Sequence, residues 1–327
     1  MGFPVGQIIA TTYESRNGKL ADNLTAHNAL FSHINKSGNV KKWSGGSVIT
    51  EEILWAANGN TGSYSGADQL TVNETGGIDR AEFDPKQYAA PIVFTGRDEF
   101  QNAGKEKVID LLEAKIEQAE TSLYNKLNVD AYGDGTGNSS KVLTGLAASV
   151  SSSPSSGTYG TIDRSNSTYS FWRNKAYISG VDFTSGQAAT SSTILNQLGQ
   201  VVQGVTYGSN RPTVIIAGLT VWNLLLGATT ANQRFMDGGK ADAGFQYLDF
   251  QGIPVVYDAA NSSFLATQAY VLNTKFLRLR THKDRDFVML EDKNPSNQDL
   301  TISTLVWAGN LTSSGQRYQA VYSSLAS

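Results

Sequence analysis

The chain has 327 residues, 40% of them hydrophobic, enough for one large domain or two ordinary ones with a sizeable core. Lys and Arg number 26 against 29 Asp and Glu, a formal charge of -3 with no block of like charge, which argues against a nucleic-acid binder that neutralises phosphates through a basic stripe. There is no cysteine, so disulfides and thiolate metal sites are excluded, and the longest apolar runs, 213–217 and 221–228, are far too short to span a membrane.

Residues 1–46 read as an extended arm, broken at Asn17-Gly18, Ser37-Gly38 and Gly45-Gly46, with a short helix within Leu20 to Ile34. Its apolar content is thin, so the arm is expected to gain order by lying across other surfaces. Met1-Gly-Phe-Pro lacks the basic and apolar regions of a signal peptide, so export is not expected. Gly2 would suit myristoylation, but Gly6 stands where that signal needs Ser or Thr.

Residues 47–95 read as a long two-stranded excursion carrying Ile53, Trp55, Tyr64, Leu70, Val72, Ile78, Phe83, Tyr88, Ile92 and Phe94, with turns at Asn58-Gly59 and Gly76-Gly77. A lone hairpin cannot bury its own side chains, so it needs a partner, and a second copy of the same chain is the expected one. Trp55, Tyr64, Leu70, Val72 and Ile78 are the candidate contacts between copies.

Residues 105–128 read as one amphipathic helix, roughly 36 Å long at about 1.5 Å per residue. Ile109, Leu112, Ile116, Ala119, Leu123 and Leu127 recur at alternating spacings of three and four, which makes a single core-facing stripe. Gly133, Gly135 and Gly137 end it. Residues 146–170, rich in Ser, Gly and Thr, read as a long loop or edge anchored by Tyr159, Ile162, Tyr169, Phe171 and Trp172.

A second helix is expected over Ser192 to Tyr207, on the stripe Ile194, Leu198, Val201 and Val205, with Gly208 as its cap. A buried strand at Thr213 to Ala217, a short helix through Val221 and Leu224 to Leu226, and strands at Gln246 to Phe250 and Ile253 to Tyr257 complete a compact mixed unit. The tail turns almost wholly to strands: Ala269 to Leu272, Phe276 to Arg280, Asp286 to Leu290, Thr301 to Ala308 and Gln316 to Tyr322.

Chemistry is hard to find. His27, His33 and His282 form no ligand pattern. Gly133-Asp-Gly-Thr-Gly137 follows a helix and has no Gly-Lys-Ser/Thr, so it is no phosphate loop. Asp134, Thr136 and Asn138 begin a calcium-loop spacing, yet Gly145 stands where the bidentate Glu is needed. Thr213 to Gly218 supplies one glycine of a dinucleotide turn, which is better read as a generic strand-to-helix turn. Glu51-Glu52 and the group Asp79, Glu82 and Asp84 are carboxylates of the kind a hairpin carries on its solvent face, and no Gly-x-Ser-x-Gly nucleophile occurs. No cofactor or metal is expected.

Several segments in order resemble the major capsid proteins of tailed bacteriophages of the Hong Kong 97 type. They are the hairpin Glu52 to Phe94 with Ile78-Asp-Arg-Ala-Glu-Phe-Asp84, the helix Lys105 to Asn128, Gly145-Leu146, Gly157-Thr-Tyr-Gly160, Ile162-Asp-Arg-Ser165 and Trp172-Arg-Asn174. Phe250-Gln-Gly-Ile-Pro-Val-Val-Tyr-Asp258 and Leu305-Val-Trp-Ala-Gly-Asn-Leu311 complete the set.

The resemblance implies an α+β capsid fold: an N-terminal arm (1–51), an extended E-loop (52–95), a peripheral domain with the spine helix (96–184), an axial domain (185–258) and a β-rich peripheral return (259–327). It implies a non-enzymatic protein that forms the pentamers and hexamers of an icosahedral shell around double-stranded DNA, assembled in the host bacterial cytoplasm. Its partners would be portal, scaffold and decoration proteins, and packaged DNA without sequence-specific binding, with no membrane contact.

Two departures matter. No lysine lies between Lys42 and Lys86, so a lysine cross-link at the E-loop tip is not expected, and the short arm implies a separate scaffold or none. An encapsulin-like compartment shell is the rival within this architecture. A carbohydrate-active β protein is the rival outside it.

Overall fold

The computed structural model describes residues 28–97, 105–183, 188–229, 247–258 and 266–324, with 105–113 and 247 as backbone only. Four helices of two or more turns and fifteen strands are present among them. In chain order they are α1 (Ala29–Lys36), β1 (Val40–Trp43), β2 (Ile49–Leu54), β3 (Ile78–Phe83), β4 (Lys86–Thr95), α2 (Lys105–Tyr132), β5 (Thr158–Tyr159), β6 (Ile162–Asp163), β7 (Lys175–Ile178) and α3 (Ile194–Val205). Then follow β8 (Val214–Ala217), α4 (Leu219–Thr229), β9 (Tyr247–Phe250), β10 (Ile253–Tyr257), β11 (Gln268–Leu272), β12 (Leu277–His282), β13 (Val288–Lys293), β14 (Leu300–Ser313) and β15 (Ala320–Ser323).

Two sheets organise the body. In the five-stranded sheet the 14-residue β14 is flanked by β4 on one side and by β12 and β13 on the other, all antiparallel, and β1 adds to β12 in parallel. The six-stranded sheet runs β7-β15-β11-β8-β10-β9. The first core fills the space between α1, α2, the five-stranded sheet and one face of the six-stranded sheet, with Phe31, Leu127, Tyr132, Ile216 and Trp307 at its centre. The other face of the six-stranded sheet carries α3 and α4 over a second core. Covered on both sides, β8 is buried at every position: Val214 and Ile216 point into the first core, Ile215 and Ala217 into the second.

The helix α2 runs to Tyr132, beyond the predicted end at 128, and Ala131 and Tyr132 continue its buried face. Ile116, Leu123 and Leu127 are buried, while Ile109 and Leu112 fall among the residues described as backbone only. The Gly133 N–H closes the last turn onto Asp130 O at 3.1 Å, and Gly145 lies directly against the carbonyls left over at that end. A Cβ at Gly145 would stand 2.6 Å from both Ala131 O and Gly133 O and closer still to Asp130 O, so only glycine fits there.

The structure corrects four readings of the sequence. The hairpin does not run to residue 95: β3 ends at Phe83, and residues 86–95 form β4 of the five-stranded sheet, where Tyr88, Ile92 and Phe94 pack inside the subunit. The arm is not wholly dependent on other copies either. Asn28 caps α1 by accepting the Phe31 N–H at 3.1 Å, Leu30, Phe31 and Ile34 enter the first core, and β1 joins β12; residues 1–27 lie outside the described residues.

Third, the unit around α3 and α4 does not close its own sheet, because β11 and β15 from the tail supply two of its inner strands. Fourth, α3 ends at Val205, one turn of chain before Gly208, whose φ of +59° serves a tight turn closed by Tyr207 and Asn210.

Candidate assembly interface

The ribbon β2–β3 pairs strand to strand from Ile49↔Phe83 to Leu54↔Ile78 and with no other strand. Its base is held to the body. On β2 the alternation puts Ile49, Glu51 and Ile53 inward and Thr50, Glu52 and Leu54 outward. Ile49, Ile53, Ala81 and Phe83 pack on Tyr159, Ile162 and Trp172, so the Ser/Gly-rich stretch after α2 serves as the seat of the ribbon. Gly160, at φ +58°, lets the β5–β6 turn approach so closely that a Cβ would stand 2.8 Å from that of Ala81, and its carbonyl accepts the Glu82 N–H at 3.0 Å.

Glu51 corrects another reading of the sequence: it is not a solvent-face carboxylate. Its side chain is fully buried, accepting Nη1 of Arg278, Nε of Arg280 at 2.7 Å and Oγ1 of Thr312 at 2.9 Å. Glu52 points outward as expected. The signal was available in the sequence, since a period of two that places Ile49 and Ile53 inside must place Glu51 there too.

Beyond Leu54 and Ile78 the ribbon loses its ladder. The Trp55 N–H donates to Gly77 O at 2.9 Å, and Asn60 bridges the two sides by donating from Nδ2 to Asn73 O and accepting the Asn73 N–H. This is a narrow, closed projection with little packing of its own. Tyr64 is 67% exposed, Leu70 57%, Val72 87% and Ile78 78%. Trp55 differs: its ring stacks on Phe171 at 5.0 Å, so it belongs to the seat as much as to the tip. Leu54, 79% exposed and paired with Ile78, adds to the apolar set and was not singled out from the sequence.

Other buried polar groups bond to one another within the fold. The Tyr88 hydroxyl donates to Asp130 Oδ2 at 2.8 Å and accepts the Leu143 N–H at 2.6 Å, and burial, reinforced by Asp130, pushes its pKa well up. The Tyr132 hydroxyl donates to Asp258 Oδ2 at 2.8 Å, and burial, then the neighbouring carboxylate, again raises its pKa. Asn310 joins three segments, donating to Asp84 O and accepting the Thr144 N–H.

A cleft of about 520 Å³ between β4 and α2 is lined by Ala90, Ile92, Lys115, Ala119, Ser122 and Lys126 among others, and among the described residues its walls hold no acidic or histidine side chain. Among the described residues no group of His, Asp and Glu could hold a metal, and no helix is long and apolar enough to cross a membrane.

No family model matches the sequence, and no curated protein does. Solved structures do. The capsid asymmetric unit of cyanophage A-1(L) matches over 94% of this chain and 93% of its own, at TM-score 0.70 and 18% identity. The capsid of a native GTA particle matches over 90% of both chains at TM-score 0.59 and 12% identity. That of Myoviridae phage XM1 matches over 88% of this chain and 90% of its own at TM-score 0.54 and 11% identity. Near-complete coverage in both directions means that the fold is shared over most of both chains. The chain has the Hong Kong 97-type capsid fold.

Proposed function

We propose that this chain is the major capsid protein of a tailed bacteriophage, self-assembling into an icosahedral head around double-stranded DNA. The observation that carries the reading is the projecting ribbon, whose Leu70, Val72, Tyr64 and Ile78 are each more than half exposed, on a body that matches capsid subunits over nearly its full length. Burial of those side chains against a second copy is the favourable term that drives association. Many weak contacts suffice, because closure holds each subunit at several interfaces at once.

In this reading α2, the five-stranded sheet and the seat at 158–172 make the peripheral domain. The six-stranded sheet with α3 and α4 makes the axial domain, which gathers copies into pentamers and hexamers. The axial domain therefore includes 175–178 before the predicted segment 185–258, and 268–272 and 320–323 from the tail after it. In this reading the protein is a structural, non-enzymatic component, as its capsid neighbours support. Portal, scaffold and decoration proteins are the further partners, and a charge of -3 suits an inner wall that must not hold the DNA it contains. The finished head is part of the virion, assembled in the host cytoplasm.

The test is electron microscopy and sedimentation of the purified full chain. Closed shells of uniform diameter are expected. Replacing 56–76 by Asn-Gly, a good two-residue hairpin turn between Trp55 and Gly77, should leave a folded subunit that closes no shell. Shells from that variant, or a stable monomer at every concentration of the parent chain, would refute the assignment.

A further inference from the structure

Among the described residues the ribbon pairs with no other strand, so apart from the backbone bond of Glu82 N–H to Gly160 O, side chains at its base set the direction in which it leaves the body. The apolar contacts of Ile49, Ile53, Ala81 and Phe83 are non-directional and tolerate rocking. Glu51 is different in kind. Arg278 and Arg280 stand two apart on β12 and so share a face, and Thr312 lies opposite Arg278 in the β12–β14 register. One fully buried carboxylate is thus tied at three points to two adjacent strands of the five-stranded sheet.

We propose that the Glu51–Arg278–Arg280–Thr312 cluster is an aiming device: it fixes the angle of the ribbon so that the tip meets a defined place on the next copy and one shell curvature is selected. The inference rests on the reading of the ribbon as an arm between subunits. Apolar residues in place of Glu51, Arg278 and Arg280 together would hold the base about as tightly, since a buried ion-pair group gains little net stability over well-packed hydrophobic side chains. Charge-assisted bonds add fixed geometry. The lever is long: residues 55–77 extend the ribbon by up to about 36 Å, so about 10° of rocking at the base moves the tip by about 6 Å. That exceeds the tolerance of a packed contact.

The chain has no cysteine, so Thr71→Cys on the exposed tip and Lys283→Cys on the exposed turn after β12 introduce the only two thiols for spin labels. Pulsed EPR on the unassembled subunit should give one narrow distance distribution. With Glu51→Leu added it should broaden by several ångströms. The two arginines, 32% and 21% exposed, can turn to water in that variant.

Particles of the Glu51→Leu chain without labels should show mixed diameters and open sheets in place of one closed size. Glu51→Gln, which keeps the size and one acceptor oxygen, is read in the same way if the leucine variant does not fold. An unchanged distance distribution, or particles of unchanged single diameter, overturns the proposal. If the parent chain forms no particles at all, the capsid reading falls while the distance measurement still decides whether Glu51 sets the angle.

Discussion

The sharpest consequence of the geometry is that two side chains can be made hydrophilic at little cost to the subunit and at great cost to assembly. In the double substitution Leu70→Asp and Val72→Asp the altered positions are 57% and 87% exposed, so folding loses only the smaller share of their burial. Surface changes of this kind stay within about 0.5 kcal/mol, and the thermal midpoint should not move measurably. Assembly is another matter. Full burial of a Leu or Val side chain is worth roughly 1.5–3 kcal/mol, and scaling by the exposed fractions leaves about 3 kcal/mol for the pair at each ribbon contact.

At 1.4 kcal/mol per tenfold, that weakens each contact by about 100-fold before the cost of desolvating two carboxylates is added. In the proposed shell every subunit offers a ribbon, so the loss would recur at each contact. Light scattering against protein concentration, read beside thermal unfolding of the same sample, measures both quantities. The assembly threshold should rise by at least about 100-fold with the midpoint unchanged. An unchanged threshold would show that the tip contacts nothing, and a midpoint lowered as by a core substitution would show that Leu70 and Val72 pack within their own subunit.

Three other outcomes are expected. Ile116→Asp places an unpaired charge at a fully buried position of α2 beside Ile92 and Phe94, so the subunit should fail to fold to a soluble form, measured as loss of cooperative unfolding. Gly145→Ala drives a methyl group into three backbone carbonyls at the end of α2 and should destabilise by about 3 kcal/mol, read by denaturant unfolding. Alkaline pH should also unfold the chain. Burial first of all holds Tyr159, Tyr270 and Tyr322 up to about 12, above the ordinary 10.0, so their stabilising contribution is complete below pH 10 and is lost as pH rises towards 12. Tyrosinate absorbance should therefore appear together with unfolding, and independent titration at pH 10 in a folded chain would contradict the burial.

The sequence carried the long helix well, because its stripe from Ile116 to Leu127 has a period that only a helix satisfies. It carried the ribbon in part. Strand alternation says that a segment is half-buried but not what it lies against, so Tyr88, Ile92 and Phe94 on β4 looked the same as Ile53 and Phe83 on the ribbon. The partners of β4 and of β11 and β15 are distant in sequence, and no local pattern announces pairings closed over such long loops. Glu51 was misread because a charged residue type was weighed above the phase of its strand. The exposed tip was legible, since apolar residues set among Asn, Gly and Thr with no helical or strand period have no intramolecular home.

The placement of the ribbon also bears on where load enters the subunit. A contact at the tip acts on a lever whose fixed end is Glu51, and its arginines sit on β12, with Thr312 on β14. These strands are interior to their sheet: β12 lies between β1 and β14, and β14 is paired along most of its length by β4 and β13 besides. Force on the ribbon is therefore shared across ladders on both sides instead of peeling an edge strand, the easier mode of failure. The same β14 backs α2 through Trp307 and Leu305, so the first core resists the same displacement. An attachment to β4, which is nearer in sequence to the ribbon, would have loaded an edge strand, paired on one side only by β14. Anchoring an arm through a buried charge at the sheet interior is thus the arrangement that lets a weakly held tip remain exposed without putting the fold of its own subunit at risk.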